Sequence, residues 1–412
     1  MVESRPYLLK NPIQHYEWGT RGEDAFIPNL LGFKAENNRP YAELWMGSHP
    51  KASSEVILED KSILLNQLIL QHPIEILGKK VAKKFSGKLP FLFKVLSAGE
   101  ILSIQAHPNK AQAKWLHERD PEHYPDGNHK PEVAIALDSL TALVGFKSFP
   151  DILQTLERYP EMTDFIGRSI FNRSMRSIEP SSQEQRELVR ELYSTLLIRS
   201  VTHGLELEKS INQLNERLCR SRKLRLEEEL FIELREKYTG PDVGLFTIFL
   251  LNLIQLKKGQ GVFLKAGIPH AYLKGNIVEC MANSDNVVRV GLTPKFTDVK
   301  TLIDILTYEL HSISVLGDKS DLREIVYETP AHEFQVSRCE IESDQKKVEI
   351  TGYKPEILLV TEGQIRINWE NDSKKGVKIF KKGQSILIPA LLREYIIHTE
   401  CRSEYFKVEV PI

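Results

Sequence analysis

The chain has 412 residues, 27% of them charged and 41% hydrophobic, with a formal net charge of −1. Mixed charges with so small an excess exclude nucleic acid or a membrane surface as a partner recruited by bulk electrostatics, and the longest apolar run, 245–256, is broken by Thr247 and Asn252 and too short to span a bilayer. The four cysteines, at 219, 280, 339 and 401, form no CxxC pair, which excludes a cysteine-based zinc cluster; with a polar N-terminus lacking a signal-peptide core, they set the expectation of a reducing cytoplasm.

Such a length suggests two or three domains. Residues 1–56 read as short strands and turns, punctuated by Tyr16-Glu17-Trp18-Gly19 and Ala42-Glu43-Leu44-Trp45-Met46-Gly47. Between 58 and 85 the apolar spacing becomes helical, with a pause at His72-Pro73 that divides two helices. Residues 89–96 read as a buried strand leading into Ser103-Ile104-Gln105-Ala106-His107-Pro108. Strand alternation there sets Ser103, Gln105 and His107 on one face and Ile104 and Ala106 on the other. Residues 109–119 are helical behind an Asn109 cap, and 123–129 are polar and turn-rich. A strand over 130–137 places Lys130 and Glu132 on one face. From 151 to 237 charges alternate with Leu and Ile at helical spacing, a helical insertion bounded by Pro150 and Gly240-Pro241. Strand patterning resumes at Phe246 and continues, with short helical pieces near 298–309, to the C-terminus.

One internal echo bears on the fold. Lys257-Lys258-Gly259-Gln260-Gly261-Val262-Phe263-Leu264 returns as Lys381-Lys382-Gly383-Gln384-Ser385-Ile386-Leu387-Ile388, in each case a charged turn before an apolar strand. The later copy ends on Pro389, a Gly-to-Pro spacing common in cupin-type barrels. The earlier copy runs into Pro269-His270 and the later into Leu391-Leu392-Arg393-Glu394. Two β-barrel units, one carrying a histidine here, is the simplest account; a chance match of common turn–strand patterns is the other.

Several residues could carry chemistry. Gln105, His107, Glu132 and His270 offer two imidazoles, a carboxylate and an amide oxygen, a set suited to a catalytic zinc that keeps one position open. Taken singly, each has an ordinary role available, and the set gains force only where the strands converge. An amine at Lys130 beside a metal-bound Glu132 would lose its proton more readily, a route to a lysine base; a surface lysine on an edge strand is the alternative. In 277–289, Glu279, Asp285 and Arg289 sit among small and apolar residues, where charge is costly unless paired or functional. A structural Asp–Arg pair accounts for part of this. Lys295 adds a cation for a phosphate or carboxylate.

The runs LPFLFKVLSA (89–98), LSIQAHPNK (102–110), HYPDGNHKPEVAIAL (123–137) and PHAYLKGNIVECMANSDNVVRVGLTPKF (269–296), with YEWG (16–19) and AELWMGSHP (42–50), resemble type I mannose-6-phosphate isomerases, zinc-dependent members of the cupin superfamily. The resemblance covers most of the chain and weakens in the helical insertion and after about residue 315. It implies a mainly β fold of two cupin-type (jelly-roll) barrels plus a mostly helical domain. The expected layout is the first part of a catalytic barrel over 1–150, the insertion over 151–240, the rest of that barrel over 241–315, and a C-terminal cupin-like barrel over 316–412.

The resemblance also implies one Zn²⁺ per chain on Gln105, His107, Glu132 and His270, with Arg289 catalytic or positioning. It implies phosphate contacts from Ser103 and Lys295, with Lys94 a further candidate, and places Lys130, Glu279 and Asp285 around the reacting carbons. The reaction implied interconverts mannose 6-phosphate and fructose 6-phosphate through a cis-enediol. It requires a base, here Lys130 or Glu279, and ring opening, for which His129 is a candidate. The only partner expected is the small hexose 6-phosphate, with neither nucleic acid nor membrane, on a monomer. An iron-dependent cupin oxygenase and a non-catalytic sugar-phosphate sensor are the competing readings.

Overall fold

The computed structural model describes residues 2–58, 61–176, 181–310, 313–317, 323–371 and 374–412. Its β structure falls into three stacked sheets. The first has nine strands and runs from Gly261–Leu264 through Glu132–Phe146, His270–Ala282, Phe91–Ala98 and Glu43–Gly47 to Ile13–Gln14. The short strand Ile104–Ala106 pairs with the start of His270–Ala282 and, on its other side, with Val288–Gly291. The second sheet has eight strands, Glu324–Tyr327, Gln335–Ile341, Ser403–Glu409, Glu356–Glu362, Ser385–Ile388, Tyr7–Lys10, Glu55–Leu58 and Lys61–Leu64. The chain's beginning is thus paired into the sheet built by its end, with Tyr7 opposite Leu387. The third sheet has four strands, Lys346–Ile350, Glu394–His398, Gln364–Asn371 and Lys374–Lys381.

Alternation decides which layer each side chain joins. In Glu356–Glu362, Ile357 and Leu359 pack toward the nine-stranded sheet, against Val133, Ile135 and Val95, while Leu358 and Val360 pack toward the four-stranded sheet, against Ile365, Ile367 and Ile386. The eight-stranded sheet is therefore apolar on both faces, and each such side chain, fully buried, contributes about 1.5–3 kcal/mol. The same rule applies in Glu132–Phe146: Val133 and Ile135 enter that inter-sheet core, and Ala134 and Ala136 face the opposite side with Glu132. The chain has the β-rich, cupin-type architecture expected, with sheets packed face to face; among the described residues the pairing order of each sheet runs from edge to edge without closing into a barrel.

Helices fill Phe149–Arg158, Pro160–Ile166, Arg168–Arg176, Ser182–Thr202, Gly204–Cys219 and Leu226–Lys237. Their apolar faces, including Leu192, Leu196 and Ile211, share one core with Ile104, Ala106, Val288 and Val290, so the insertion braces the back of the short strands. No helix is long and apolar enough to cross a membrane among the described residues.

Two expectations change. The helical spacing from 58 begins in a hairpin, Glu55–Leu58 with Lys61–Leu64, before helices at Leu65–Gln71 and Pro73–Lys84. Four-residue strands are too short for periodicity to tell from a helical turn. The apolar run at Phe246 is helical over Gly244–Thr247 and Ile248–Leu250, with the strand starting at Leu251. A run buried on every side carries no period to read.

The internal echo is structural. Gly259 and Gly383 have φ of 82° and 83°, the left-handed region that glycine enters freely. In both turns the glutamine carbonyl accepts from the first lysine's N–H, Gln260 from Lys257 at 2.9 Å and Gln384 from Lys381 at 2.8 Å.

Candidate active site

The centre of the site is set by register. Gln105 lies opposite His270 on one side and opposite Arg289 on the other, so the three-residue strand Ile104–Ala106 collects residues more than 160 positions apart. Ile104 and Ala106 are buried in the helical core, which turns Ser103 and Gln105 the other way, into a cleft of about 1180 Å³. Lys94, Lys130, Asp285, Arg289 and Lys295 line the same cleft.

Next to the cleft residues Gln105 and Lys130, His107, Glu132 and His270 converge, their ligand atoms all within 4.8 Å of one another and all three side chains buried. Nε2 of His107 stands 3.4 Å, and that of His270 3.5 Å, from the same oxygen, Oε2 of Glu132. The tautomers follow from the outward bonds: His107 Nδ1 donates to the Asn286 carbonyl at 2.8 Å and His270 Nδ1 to the Ile268 carbonyl at 3.0 Å. A carbonyl only accepts, so each ring carries its proton outside and points the Nε2 lone pair inward. Burial above all holds the His107 imidazole neutral, down to about 4, against the pull of Glu132. Burial opposes the Glu132 charge as well, but Lys130, with Nζ 3.1 Å from Oε1, and His107 outweigh it and keep the carboxyl well below its usual range.

His107 Nε2 and Glu132 Oε2 are buried without any hydrogen-bond partner. Two orphaned acceptors aimed at one point, with a third lone pair beside them, make a costly arrangement for a protein interior unless a cation completes it. Nitrogen and oxygen donors of this kind fit zinc. The Gln105 amide lies 3.5 Å from His270 Nε2, and a half-turn of that amide presents its oxygen to the same point.

Around this centre the charges divide into paired and unpaired. Lys94 is buried between Glu43, at 3.4 Å, and Glu279, at 3.2 Å; burial works against its charge and the two carboxylates more than restore it. Glu279 also accepts from the Tyr272 hydroxyl at 2.9 Å, and burial followed by the nearby Glu132 charge raises its carboxyl. It stands behind Lys94, off the cleft wall. Asp285 is tied to Lys51 at 2.9 Å rather than to Arg289, so the Asp–Arg brace anticipated for 277–289 is replaced by a bond to another segment. Arg289 and Lys295 have no carboxylate within ion-pair distance among the described residues. Burial weakens both charges, and for Lys295 the Arg289 charge adds to the effect. Two cations, Arg289 half-buried and Lys295 exposed, thus stand in one cleft without counter-charges.

His129 is not brought to the cleft: its ring turns away and bonds to Glu333. Conversely, Tyr16, Trp18 and Trp45 form part of the cleft wall without having been given a role from the sequence, and Lys94 Nζ lies 5.4 Å over the Trp45 ring. The register pairing of Trp45 with Lys94 was the available signal, and it needs the sheet to be seen. Asn286, whose carbonyl orients His107, was also missed; the density of small polar residues in Asn283-Ser284-Asp285-Asn286 was its only trace.

Comparison with known proteins agrees with this geometry. Residues 7–149 match the family described as phosphomannose isomerase type I, catalytic domain. A mannose-6-phosphate isomerase of Rattus norvegicus is 38% identical over 383 residues, covering 89% of each chain. The chain belongs to the type I phosphomannose isomerase family. Its fold superposes on a crystal structure of a phosphomannose isomerase mutant from Salmonella typhimurium with a TM-score of 0.85 at 30% identity, covering 99% of this chain and all of that one. A second family structure, a mannose 6-phosphate isomerase bound with zinc and yttrium, matches with a TM-score of 0.84 at 30% identity over 99% of this chain. Phosphomannose isomerases are aldose–ketose isomerases, and in this member of the family two imidazoles and a carboxylate form the buried centre.

Proposed function

We propose that this isomerase interconverts mannose 6-phosphate and fructose 6-phosphate, with one zinc ion per chain held by Gln105, His107, Glu132 and His270. The observation that carries the reading is the placing of two orphaned acceptors, His107 Nε2 and Glu132 Oε2, next to Lys130 and Gln105 of a cleft that holds two cations without counter-charges. Zinc, when bound, supplies a Lewis acid for the oxygens on C1 and C2.

The protein's own groups do the rest. Lys295 and Ser103 bind the phosphate, so that binding energy remote from the reacting carbons orients the chain of the sugar. Lys130 lines the cleft and Glu279 does not, which favours the Lys130 amine as the base that takes the C2 proton and returns it to C1. Glu279 holds Lys94 at the cleft wall, and Asp285 orders the loop that carries Arg289. The Arg289 guanidinium faces the negative charge that grows on the enediolate oxygen; because no carboxylate neutralises it, its charge is available to the substrate. The enzyme is expected to work in the cytoplasm as a monomer.

The test is direct. Purified protein loaded with zinc is given mannose 6-phosphate, and fructose 6-phosphate is measured through a coupled assay. Turnover that disappears on chelation and returns with zinc is expected. Tight binding of the sugar phosphate without turnover by the zinc-loaded protein would replace the enzyme reading with that of a sensor.

A further inference from the structure

Lys130 lies two residues ahead of the strand Glu132–Phe146, outside its ladder, and Pro131 between them has no N–H to add. The segment is held on one side by side chains. Asn128 donates to the Asn283 carbonyl at 2.8 Å, and its own carbonyl accepts from Asn286 at 2.9 Å. On the other side the anchor is His129, whose Nε2–H donates to Oε1 of Glu333 at 2.8 Å. Glu333 comes from 204 residues further along the chain. It is buried, and its second oxygen accepts from the His332 N–H at 3.1 Å. Burial works to raise its carboxyl, and the bond and charge of His129 outweigh that. Its neighbour Phe334 is fully buried in the core between the nine- and eight-stranded sheets, among Val133 and Ile135 of the site-bearing strand. The acceptor is thus fixed to a rigid layer, and the imidazole is drawn to it.

We propose that Glu333, through His129, is a positioning residue for the reaction: the C-terminal half of the chain sets where the Lys130 amine stands over the substrate. Ring opening, the step for which His129 was a candidate, would need its imidazole in the cleft, and that imidazole points instead to Glu333. The inference rests on the isomerase reading above and on Lys130 as its base. A displacement of about 1 Å in a reacting group costs up to about 100-fold, so a side chain that touches no substrate can still govern kcat.

Wild type, Glu333→Ala, Glu333→Gln, His129→Ala and the double alanine variant, each loaded with zinc, are compared for kcat, KM and zinc content. Glu333→Ala and His129→Ala are each expected to lower kcat about 10- to 100-fold, with KM and zinc content near wild type. The double variant should be no worse than the weaker single one. Glu333→Gln retains an acceptor for the ring N–H and should recover most of the loss, an outcome that a general loss of packing would not give. Because the His129 ring is partly exposed, that variant keeps the comparison open should Glu333→Ala fold poorly. Full kcat in either alanine variant overturns the proposal. So does an additive double variant, or a His129→Ala loss far beyond that of Glu333→Ala, which would return the imidazole to the chemistry. An inactive zinc-loaded wild type would instead sink the isomerase reading itself.

Discussion

The two copies of the Lys-Lys-Gly-Gln turn open onto interiors that treat buried charge in opposite ways. Behind the later copy, the space between the eight- and four-stranded sheets is filled by Leu358, Val360, Ile386, Ile388 and Ile397. With the exception of one oxygen of Glu356, the charges it does bury are matched: Glu349 receives Lys347 and Lys407, each at 2.8 Å, and the Tyr405 hydroxyl at 3.0 Å. Behind the earlier copy, alanines at 134 and 136 leave room, and acceptors at His107 and Glu132 stand without partners. One scaffold therefore serves for stability in one place and for chemistry in the other, and the difference lies in whether the buried polar atoms satisfy one another or are left for a ligand.

The largest effect should come from removing what the orphaned acceptors are arranged to hold. Chelation is expected to abolish turnover, zinc to restore it, and Glu132→Gln to prevent the restoration while lowering the zinc content of the purified protein. A chelated protein that kept its rate would erase the contrast between the two interiors. Next is Arg289→Ala, expected to lower kcat about 100- to 1000-fold, the scale of losing a preorganised donor at a developing oxyanion, with little change in Tm because the guanidinium has no protein counter-charge to abandon. A variant of near-normal kcat would remove Arg289 from the mechanism. Lys295→Ala should act mainly on KM, raising it about tenfold, the equivalent of one charge-assisted contact of about 1.4 kcal/mol. Inorganic phosphate should inhibit the wild type more strongly than this variant; equal inhibition would place the phosphate elsewhere.

Much of the site could be read from the chain, for a physical reason. Alternation in a strand is a local property, so Ser103, Gln105 and His107 share a face, as do Lys130 and Glu132, before any tertiary contact is known. Convergence is not local. That Gln105 meets both His270 and Arg289 depends on two strand pairings across 165 and 184 positions, which no periodicity encodes. The same limit explains His129: the residue falls in the right segment, but the direction of its side chain is decided by Glu333, far along the sequence. At the level of the fold, the pairing of Tyr7–Lys10 with Ser385–Ile388 was invisible, because an apolar four-residue strand fits any edge of matching polarity.

The prediction with no expected effect on turnover tests the claim that the later interior is a matter of stability alone. Glu356 is fully buried there; the Tyr395 hydroxyl donates to one oxygen at 2.6 Å, and the other oxygen, Oε1, has no partner. Burial raises its carboxyl to about 7, against the pull of Lys407 and helped by Glu409 and Glu349. Between the unfolded value of 4.5 and about 7 the folded state therefore binds the extra proton. By linkage the contribution of Glu356 to stability is fully present below about 4.5 and is lost as pH rises through about 7, a change of about 3 kcal/mol. Glu356→Gln mimics the protonated form and still accepts from Tyr395. It should match wild type near pH 4.5 and exceed it in unfolding free energy above pH 7, with zinc-dependent turnover unchanged at either pH. Parallel stability curves for the two proteins would show that the Glu356 charge is accommodated after all, and a loss of turnover would join this interior to the chemistry of the other.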